Sequence, residues 1–226
     1  MSPDPLTTSR RGFLQLAGFS IAALAMPRLP GWLEAESAVD LPALGLSLRI
    51  PAPWHFVAGA ELESIRADTV LPGGEAAKAR VVAMAGDPPL LVAARERSPG
   101  PGPTFVLWRQ TAGAGDHASS QHEAFASIHE HIYRRYARWL PEYTVVERGR
   151  AAWFAGAPAS RVVVQYREQR VGQAPWMVRL ESHLLRWEHS WLTFNCLGLA
   201  DARDATAADD FRAVEQSVRL YTPLAP

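Results

Sequence analysis

The side chains with the most potential for binding chemistry lie on one predicted β-strand. Arg179, Glu181 and His183 alternate along it, so an extended backbone directs all three to one face of a sheet. Arg161 and Arg167, on the strand before it, are expected on the same face. Such a face can bind an anion or an acidic partner through the fixed geometry of the guanidinium group. The alternative is the solvated side of an antiparallel sheet, unless a helix covers the face and its polar groups need partners.

Four of the seven histidines are close neighbours in the sequence: His117, His122, His129 and His131. His122 and His129 share one face of a predicted helix, but about 10 Å of helix axis separates them. That separation is too large for one tetrahedral metal ion without ligands from elsewhere, and the segment has no His-Glu-x-x-His motif. We therefore assign no metal site, keep His122 and His129 only as candidate ligands, and favour a surface helix whose histidines are solvated.

No nucleophile motif accompanies these groups. The sequence has no Gly-x-Ser-x-Gly elbow, and residues 113–116 lack the lysine and hydroxyl of a phosphate-binding loop. Ser182 and His183 are adjacent, but neighbours on a strand point to opposite faces. We assign no catalytic residue and expect no cofactor. A hydrolase stays open only if the fold brings a histidine within hydrogen-bond distance of a carboxylate or hydroxyl in a cleft.

Composition and charge narrow the class of protein. The chain has 226 residues, 48% of them hydrophobic and 20% charged, which is typical of a globular protein and excludes a disordered or collagen-like chain. Its 23 basic and 23 acidic residues cancel, so we expect no nucleic-acid partner. Cys196 is the single cysteine and excludes an internal disulfide. The apolar residues around it in the sequence predict a buried, inert thiol.

An export signal is predicted at the N-terminus. Arg10 and Arg11 stand before Phe13 and Leu14, which belong to an apolar run that ends at Met26, too early for a membrane span. This layout resembles a twin-arginine (Tat) signal. The resemblance implies that the Tat translocase carries the folded chain into the periplasm.

The boundary of the signal is predicted from small residues and prolines. We favour cleavage at the small-x-small triplet Ala35–Ser37 over an earlier one, because Pro27 and Pro30 mark the break after the apolar run. The predicted organisation is a signal peptide at residues 1–37 and a single domain at residues 38–226. No remaining segment has the roughly 20 apolar residues of a membrane span, so we expect no stable span in the mature protein.

The hydrophobic periodicity predicts strands, a long helix, a meander of strands, a second helix and a final strand. The long helix is predicted from an apolar stripe with three- and four-residue steps. Residues 58–77 give no clear pattern. This order indicates an α+β protein with an antiparallel sheet covered by helices. The predicted strands are residues 44–50, 80–85, 90–97, 104–110, 144–148, 151–154, 161–170, 176–187, 191–199 and 218–221, and the predicted helices are 119–140 and 205–215.

Eight tryptophans are a high number for this chain length. Tryptophan combines a large apolar area with one hydrogen-bond donor, which suits it to cores and to interfaces. Most of them are expected in the core or between sheet and helix. Trp176 and Trp187, near strand ends beside arginines, are the candidates for an exposed anchor.

Three segments resemble the PsbP-like family, named for a photosystem accessory protein and shared with a Ran-binding nuclear-import factor. Gly45–Trp54 reads as a strand followed by proline and then tryptophan, as at the start of that family's domain. Phe211–Leu220 resembles its closing helix and strand, and Gly149–Val164 resembles its small residues leading into a long strand. The resemblance covers most of residues 44–221.

The resemblance implies a fold and a class of function. The fold is an α/β/α sandwich with a central antiparallel sheet of about six or seven strands covered by helices. Members of the family are mostly binding, assembly or accessory proteins without shared catalytic residues. We therefore expect an exported, non-enzymatic accessory or assembly protein that binds a protein partner in the periplasm. The alternative is a periplasmic protein that binds a small ligand, an anion or a metal ion.

Overall fold

Ten strands and four α-helices form the part of the chain that the structure describes. The structure is a computed structural model, and it describes residues 37–52, 54–85, 88–95, 102–111, 122–188, 190–200 and 205–222. The strands are β1 (Ser37–Leu41), β2 (Leu46–Ile50), β3 (His55–Phe56), β4 (Leu91–Ala94), β5 (Thr104–Thr111), β6 (Thr144–Phe154), β7 (Ala157–Glu168), β8 (Trp176–Trp187), β9 (Ser190–Leu199) and β10 (Arg219–Leu220). The helices are α1 (Gly59–Asp68), α2 (Gly74–Ala85), α3 (His122–Arg134) and α4 (Ala205–Ser217).

A central antiparallel sheet contains seven of these strands, in the order β3-β4-β5-β9-β8-β7-β6. Strands β7, β8 and β9 pair in sequence order, which confirms the predicted meander. A turn of two residues joins β6 to β7. Both of them, Ala155 and Gly156, have positive φ values (51° and 79°), as a type I′ turn between twisted strands requires. A second, smaller sheet has the order β1-β2-β10.

Both faces of the central sheet are buried. On one face, Leu184 belongs to a core cluster with Tyr133 of α3 and Val81 of α2. On the other face, Phe194 belongs to a second cluster with Val214 of α4 and with residues of β2. Strand β9 is accordingly buried at eight successive positions, as expected where both faces of a sheet are covered. The predicted α+β sandwich is confirmed, and the small sheet shares one outer layer with α4.

Trp54 connects the N-terminal part of the fold to α4. Its side chain is buried, and its indole N–H donates to Asp210 Oδ2 over 2.9 Å. The ring also meets that of Phe211 edge to face, with 5.5 Å between centroids. The strand-proline-tryptophan segment and the C-terminal helix therefore lie against each other.

The strand predicted at residues 80–85 is wrong, because these residues form the end of α2. Ala77 and Val81 are one helical turn apart and both are buried, and the alanine-rich segment has a high helix propensity. Helices α1 and α2 also cover most of residues 58–77, where no pattern was predicted. Neither helix has a pronounced apolar stripe, so periodicity alone does not identify them.

Two other predicted boundaries change. The separate strands at 144–148 and 151–154 are one strand, β6, whose register against β7 shifts at irregularities between Val145 and Arg150. Helix α3 ends at Arg134 and continues as a 3-10 turn over Arg135–Arg138, so it is shorter than predicted. Residues 119–121 lie outside the described residues, as does the predicted export signal except for its last residue, Ser37, which begins β1. No helix in the described ranges is long and apolar enough to cross a membrane.

Helix α3 approaches β6 so closely at Gly149 that no side chain fits there. A Cβ atom at this position would lie 2.1 Å from the carbonyl oxygen of Ala126 and 3.1 Å from Cβ of Glu130. We expect Gly149→Ala to lower the free energy of unfolding by about 3 kcal/mol, because the strand or the helix must shift. Urea denaturation measures the loss.

The matched control is Gly59→Ala, since no atom lies within 4 Å of a Cβ placed at Gly59. We expect that variant to unfold within about 0.5 kcal/mol of the original chain. Equal losses for the two variants would show that α3 and β6 are not in close contact.

Candidate functional site

The structure places the predicted polar face of β7 and β8 between the central sheet and α4. Arg161 lies directly opposite His183 across the two strands, and Arg179 lies on the same face. Leu185, two residues beyond His183 on β8, is completely buried in the α4-side core. His183 itself is only 7% exposed. The part of this face around His183 and Leu185 is therefore covered on the α4 side of the sheet, and its polar groups need hydrogen-bond partners within the protein.

Those partners form a chain of alternating charges. The Arg161 guanidinium donates hydrogen bonds to the carboxylates of Glu181 and Glu147. Arg179 adds a longer contact to Glu147, over 3.4 Å. His183 completes the chain, with its Nε2 atom 3.3 Å from Glu181 Oε1.

Helix α4 contributes one more acid to this group. Glu215 Oε1 lies 3.4 Å from His183 Nε2 and 3.9 Å from the sulfur of Cys196 on β9. The thiol of Cys196 is buried, as the sequence analysis predicts. Burial, together with the nearby Glu215 and Glu181 carboxylates, raises the pKa of the thiol well above its ordinary value, so it is protonated at neutral pH.

Mutual contacts favour the charged forms of both Glu181 and His183. Burial alone would raise the pKa of Glu181, but hydrogen bonds from His183 and Arg161 lower it to about 2. Burial would lower the pKa of His183, but hydrogen bonds to Glu181 and Glu215 raise it above its ordinary value. Removing one partner from such a group leaves an uncompensated charge, which costs far more than an exposed ion pair contributes.

Four of the five predicted face residues come together in this way, and Arg167 does not. Its side chain is about half exposed and pairs with Glu142 over 2.8 Å, away from His183. The sequence analysis missed Glu147 and Glu215. Neither had a detectable signal, because Glu147 is placed by the irregular register of β6 and Glu215 by the packing of α4.

His129 points into the protein, so the expectation of solvated histidines on a surface helix is wrong for this residue. It is 1% exposed and packs against two paired strands of the central sheet. Its Nδ1 is 2.8 Å from Ser160 Oγ on β7, and its Nε2 is 3.0 Å from Ser182 Oγ on β8. Because the ring is neutral, one of its nitrogens donates and the other accepts.

A signal for this orientation is present in the sequence. His129 lies four residues after Phe125 and four before Tyr133, so it continues the buried stripe of α3. The Tyr133 hydroxyl is 2.9 Å from Ser182 Oγ and 2.9 Å from Asn195 Oδ1, which extends the same hydrogen-bonded group. The side chain of His122, the other candidate metal ligand, lies outside the part of the chain that the structure describes.

His129 and Ser182 cannot act as the base and the nucleophile of a hydrolase, although they are in contact. Both Ser160 and Ser182 have no exposed surface, so a substrate has no access to either hydroxyl. The pKa of His129 is lowered to about 3, chiefly by burial and further by the nearby charge of His183. The group therefore holds α3 against the sheet as a neutral hydrogen-bonded unit.

An open cleft of about 670 Å³ lies on the outer side of the same contact, between α3 and β6. Its charged lining is mostly basic: Arg134, Arg148 and Arg150, with Glu130 as the one carboxylate. Glu130 is already engaged, since Arg134 contacts it over 2.6 Å and the Gly149 N–H donates to it over 2.9 Å. Further lining residues are Ala126, Ser127, His131 and Ala151.

Two of these arginines have no acidic partner of their own. Arg148 and Arg150 are exposed and make no ion pair within the described ranges. The pKa of Glu130 is lowered below its ordinary value despite partial burial, because Arg134 and the Gly149 amide bind its carboxylate and the charges of Arg134 and Arg148 lie nearby. The cleft thus has an excess of positive charge in a chain whose net charge is zero.

The cleft opens along the edge of the central sheet. Among the described strands, β6 pairs with β7 alone, so its outer backbone groups have no strand partner there, although the Gly149 N–H donates to Glu130. Trp153, near the end of β6, is 70% exposed. The predicted anchors Trp176 and Trp187 are instead half-buried, and the indole of Trp187 donates to the Leu44 carbonyl over 3.0 Å.

Comparison with known proteins gives structural neighbours of low sequence identity. LpqN, involved in cell envelope biogenesis of Mycobacterium tuberculosis, is 15% identical over 82% of this chain and 90% of that chain, with a TM-score of 0.46. Cyanobacterial PsbP (CyanoP) from Synechocystis sp. is 10% identical over 84% of this chain and 95% of that chain, with a TM-score of 0.49. No family model and no curated protein matches the chain. The neighbours thus include a PsbP protein, and membership of that family stays a prediction.

Because His129 is buried, we expect the free energy of unfolding to depend on pH. The pKa of His129 falls from 6.5 in the unfolded chain to about 3 in the folded protein. Between these two pH values the unfolded state therefore binds a proton that the folded state does not bind. The stability that His129 provides is therefore present above pH 6.5 and is lost as the pH falls towards 3. Between pH 6.5 and 4.5 we expect this group to reduce the free energy of unfolding by about 2 kcal/mol.

Urea unfolding across that pH range compares the chain with His129→Gln, which should lose this dependence. His183 does not obscure the result, because its raised pKa means that its contribution is complete once the pH is below 6.5. His131→Gln, on the exposed side of α3, is the control and should keep the original slope. An unchanged slope in His129→Gln would contradict a neutral buried imidazole.

Proposed function

We propose that this chain is an exported, non-enzymatic accessory protein that binds an acidic, extended segment of a protein partner along β6. The observation that carries the proposal is the cleft between α3 and β6, where Arg148 and Arg150 make no ion pair with any described residue. The site differs from the face predicted from the sequence, whose charges largely neutralise one another.

Charge selects the chemistry of the partner. Arginine binds carboxylates through two parallel N–H groups, and hydrogen bonds of this kind are stronger than neutral ones. Arg134, Arg148 and Arg150 line the cleft, and Glu130, the one carboxylate among its described lining residues, pairs directly with Arg134. A segment with two carboxylates would balance the remaining charge.

The edge of the sheet selects the conformation of the partner. An extended peptide can add a strand to β6, because the outer N–H and C=O groups of that strand have no partner among the described strands. Trp153 offers a large apolar surface beside the path of such a strand, and exposed tryptophans often dominate the energy of an interface. Main-chain pairing, two carboxylates and one apolar side chain together define the segment.

A direct test uses a fluorescent eight-residue peptide of alternating glutamate and valine, with binding followed by anisotropy. We expect Arg148→Glu and Arg150→Glu each to weaken binding by about tenfold or more, which corresponds to one charge-assisted hydrogen-bonded contact. Arg212→Glu is the matched control, since Arg212 is an exposed arginine on α4 and lies outside the cleft. That variant should bind as the original chain does.

The test separates binding from a purely protective role of these charges. Charged residues on an edge strand also prevent sheets from associating with one another. If protection were their only role, the peptide would not bind the original chain, and the two variants would differ only in self-association during gel filtration. An equal loss in Arg212→Glu would indicate unspecific attraction and would also contradict the proposal.

The export part of the proposal rests on the twin-arginine pattern at residues 10–14. We expect replacement of both Arg10 and Arg11 by lysine to retain positive charge but to leave the chain in the cytoplasm, because the Tat translocase reads the pair specifically. Fractionation of cells expressing each form measures the distribution. Equal amounts of both forms in the periplasm would exclude Tat transport.

A further inference from the structure

The geometry points to a structural metal site for Zn²⁺ formed by Glu181, His183 and Glu215, with Cys196 as the fourth ligand. This inference is independent of peptide binding at β6, since the metal site lies beside α4 and the cleft lies beside α3. The donor atoms of Glu181, His183 and Glu215 all lie within 4.8 Å of one another.

The distances around His183 favour an ion over direct hydrogen bonds alone. Nε2 can donate a single proton, yet it faces two carboxylate oxygens at 3.3 and 3.4 Å. Both distances exceed the roughly 2.7–2.9 Å of a charge-assisted hydrogen bond. In a tetrahedral site with metal–ligand distances of about 2.0–2.1 Å, neighbouring ligand atoms lie about 3.4 Å apart. The two carboxylate oxygens therefore lie at the distance from Nε2 that is expected between neighbouring ligands of a zinc ion.

The fourth position comes from β9. Cys196 lies directly opposite Glu181 in the register of β8 and β9, and its sulfur is 3.9 Å from Glu215 Oε1. The sulfur lies outside the group whose donor atoms are all within 4.8 Å of one another, so it would move towards the ion to complete the set. Thiolate, imidazole and carboxylate groups together are a ligand set typical of Zn²⁺, whereas calcium and magnesium prefer oxygen alone. Four protein ligands leave no open position for substrate, so the site is structural.

Charge in the surroundings is compatible with the ion. A divalent cation that displaces the protons of His183 and Cys196 leaves the net charge of the group unchanged. Arg161 donates to Glu181 from outside and would orient this ligand, as partners around the ligands of metal sites commonly do. The ion would connect β8, β9 and α4, and so hold α4 against the sheet.

The experiment uses the full chain after removal of metal with a chelator. We expect one equivalent of Zn²⁺ to bind by calorimetry and to raise the thermal midpoint by about 5 °C or more at saturating zinc. With Co²⁺ as the probe, the cysteine should produce a thiolate-to-cobalt charge-transfer band. His131→Gln, an exposed histidine on α3, should change none of these results.

Glu215→Gln keeps the shape of the side chain and removes its charge, so it tests the site in a variant that is expected to fold. It should weaken Zn²⁺ binding by about a hundredfold or more, since it replaces a ligand and not an outer partner. Cys196→Ser should abolish the charge-transfer band even where Co²⁺ still binds. Absence of stoichiometric Zn²⁺ binding, or binding that Glu215→Gln leaves unchanged, would overturn the assignment and leave the group as an ion-pair network.

Discussion

The position of α3 on the central sheet depends on one buried contact, that of His129 with Ser160 and Ser182. The ring packs against two paired strands and forms a hydrogen bond with a hydroxyl on each, so α3 has one favourable position along and across the sheet. At that position the helix backbone reaches β6, where only glycine fits at residue 149. The cleft between α3 and β6 is a consequence of this close approach, and its arginines are brought together by it.

The two faces of the central sheet solve the burial of polar groups in different ways. Under α3 the group is neutral, because burial favours the uncharged ring of His129, which forms hydrogen bonds with serine hydroxyls. Under α4 the group is ionic, and His183 keeps its charge because two carboxylates face it. The two histidines influence each other across the sheet, since the charge on His183 helps to lower the pKa of His129. A change in one layer is therefore felt electrostatically in the other.

Local pattern was sufficient to predict the elements whose periodicity is strong. The meander of β7, β8 and β9, the stripe of α3 and the α+β class all follow from it, as does the burial of Cys196. The strand predicted at residues 80–85 is wrong because α2 has no strong apolar stripe, so a short apolar run was indistinguishable from a strand.

The sites were harder to predict than the fold, because their residues come from distant segments. Alternation placed Arg161 and His183 on one face, but only the tertiary fold adds Glu147 and Glu215 to them. The cleft depends on how far α3 lies from β6, which is set by His129 and Gly149 together. Periodicity in one segment does not carry information of this kind.

The most direct test of the central claim is a map of where an acidic peptide binds. Backbone amide signals and tryptophan indole N–H signals of the isotopically labelled chain can be followed by NMR as the glutamate-valine peptide is added. We expect the shifted signals to cluster on β6 from Arg148 to Trp153 and on the exposed side of α3. Shifts confined to the opposite edge of the sheet at β3, or no shifts at saturating peptide, would contradict it.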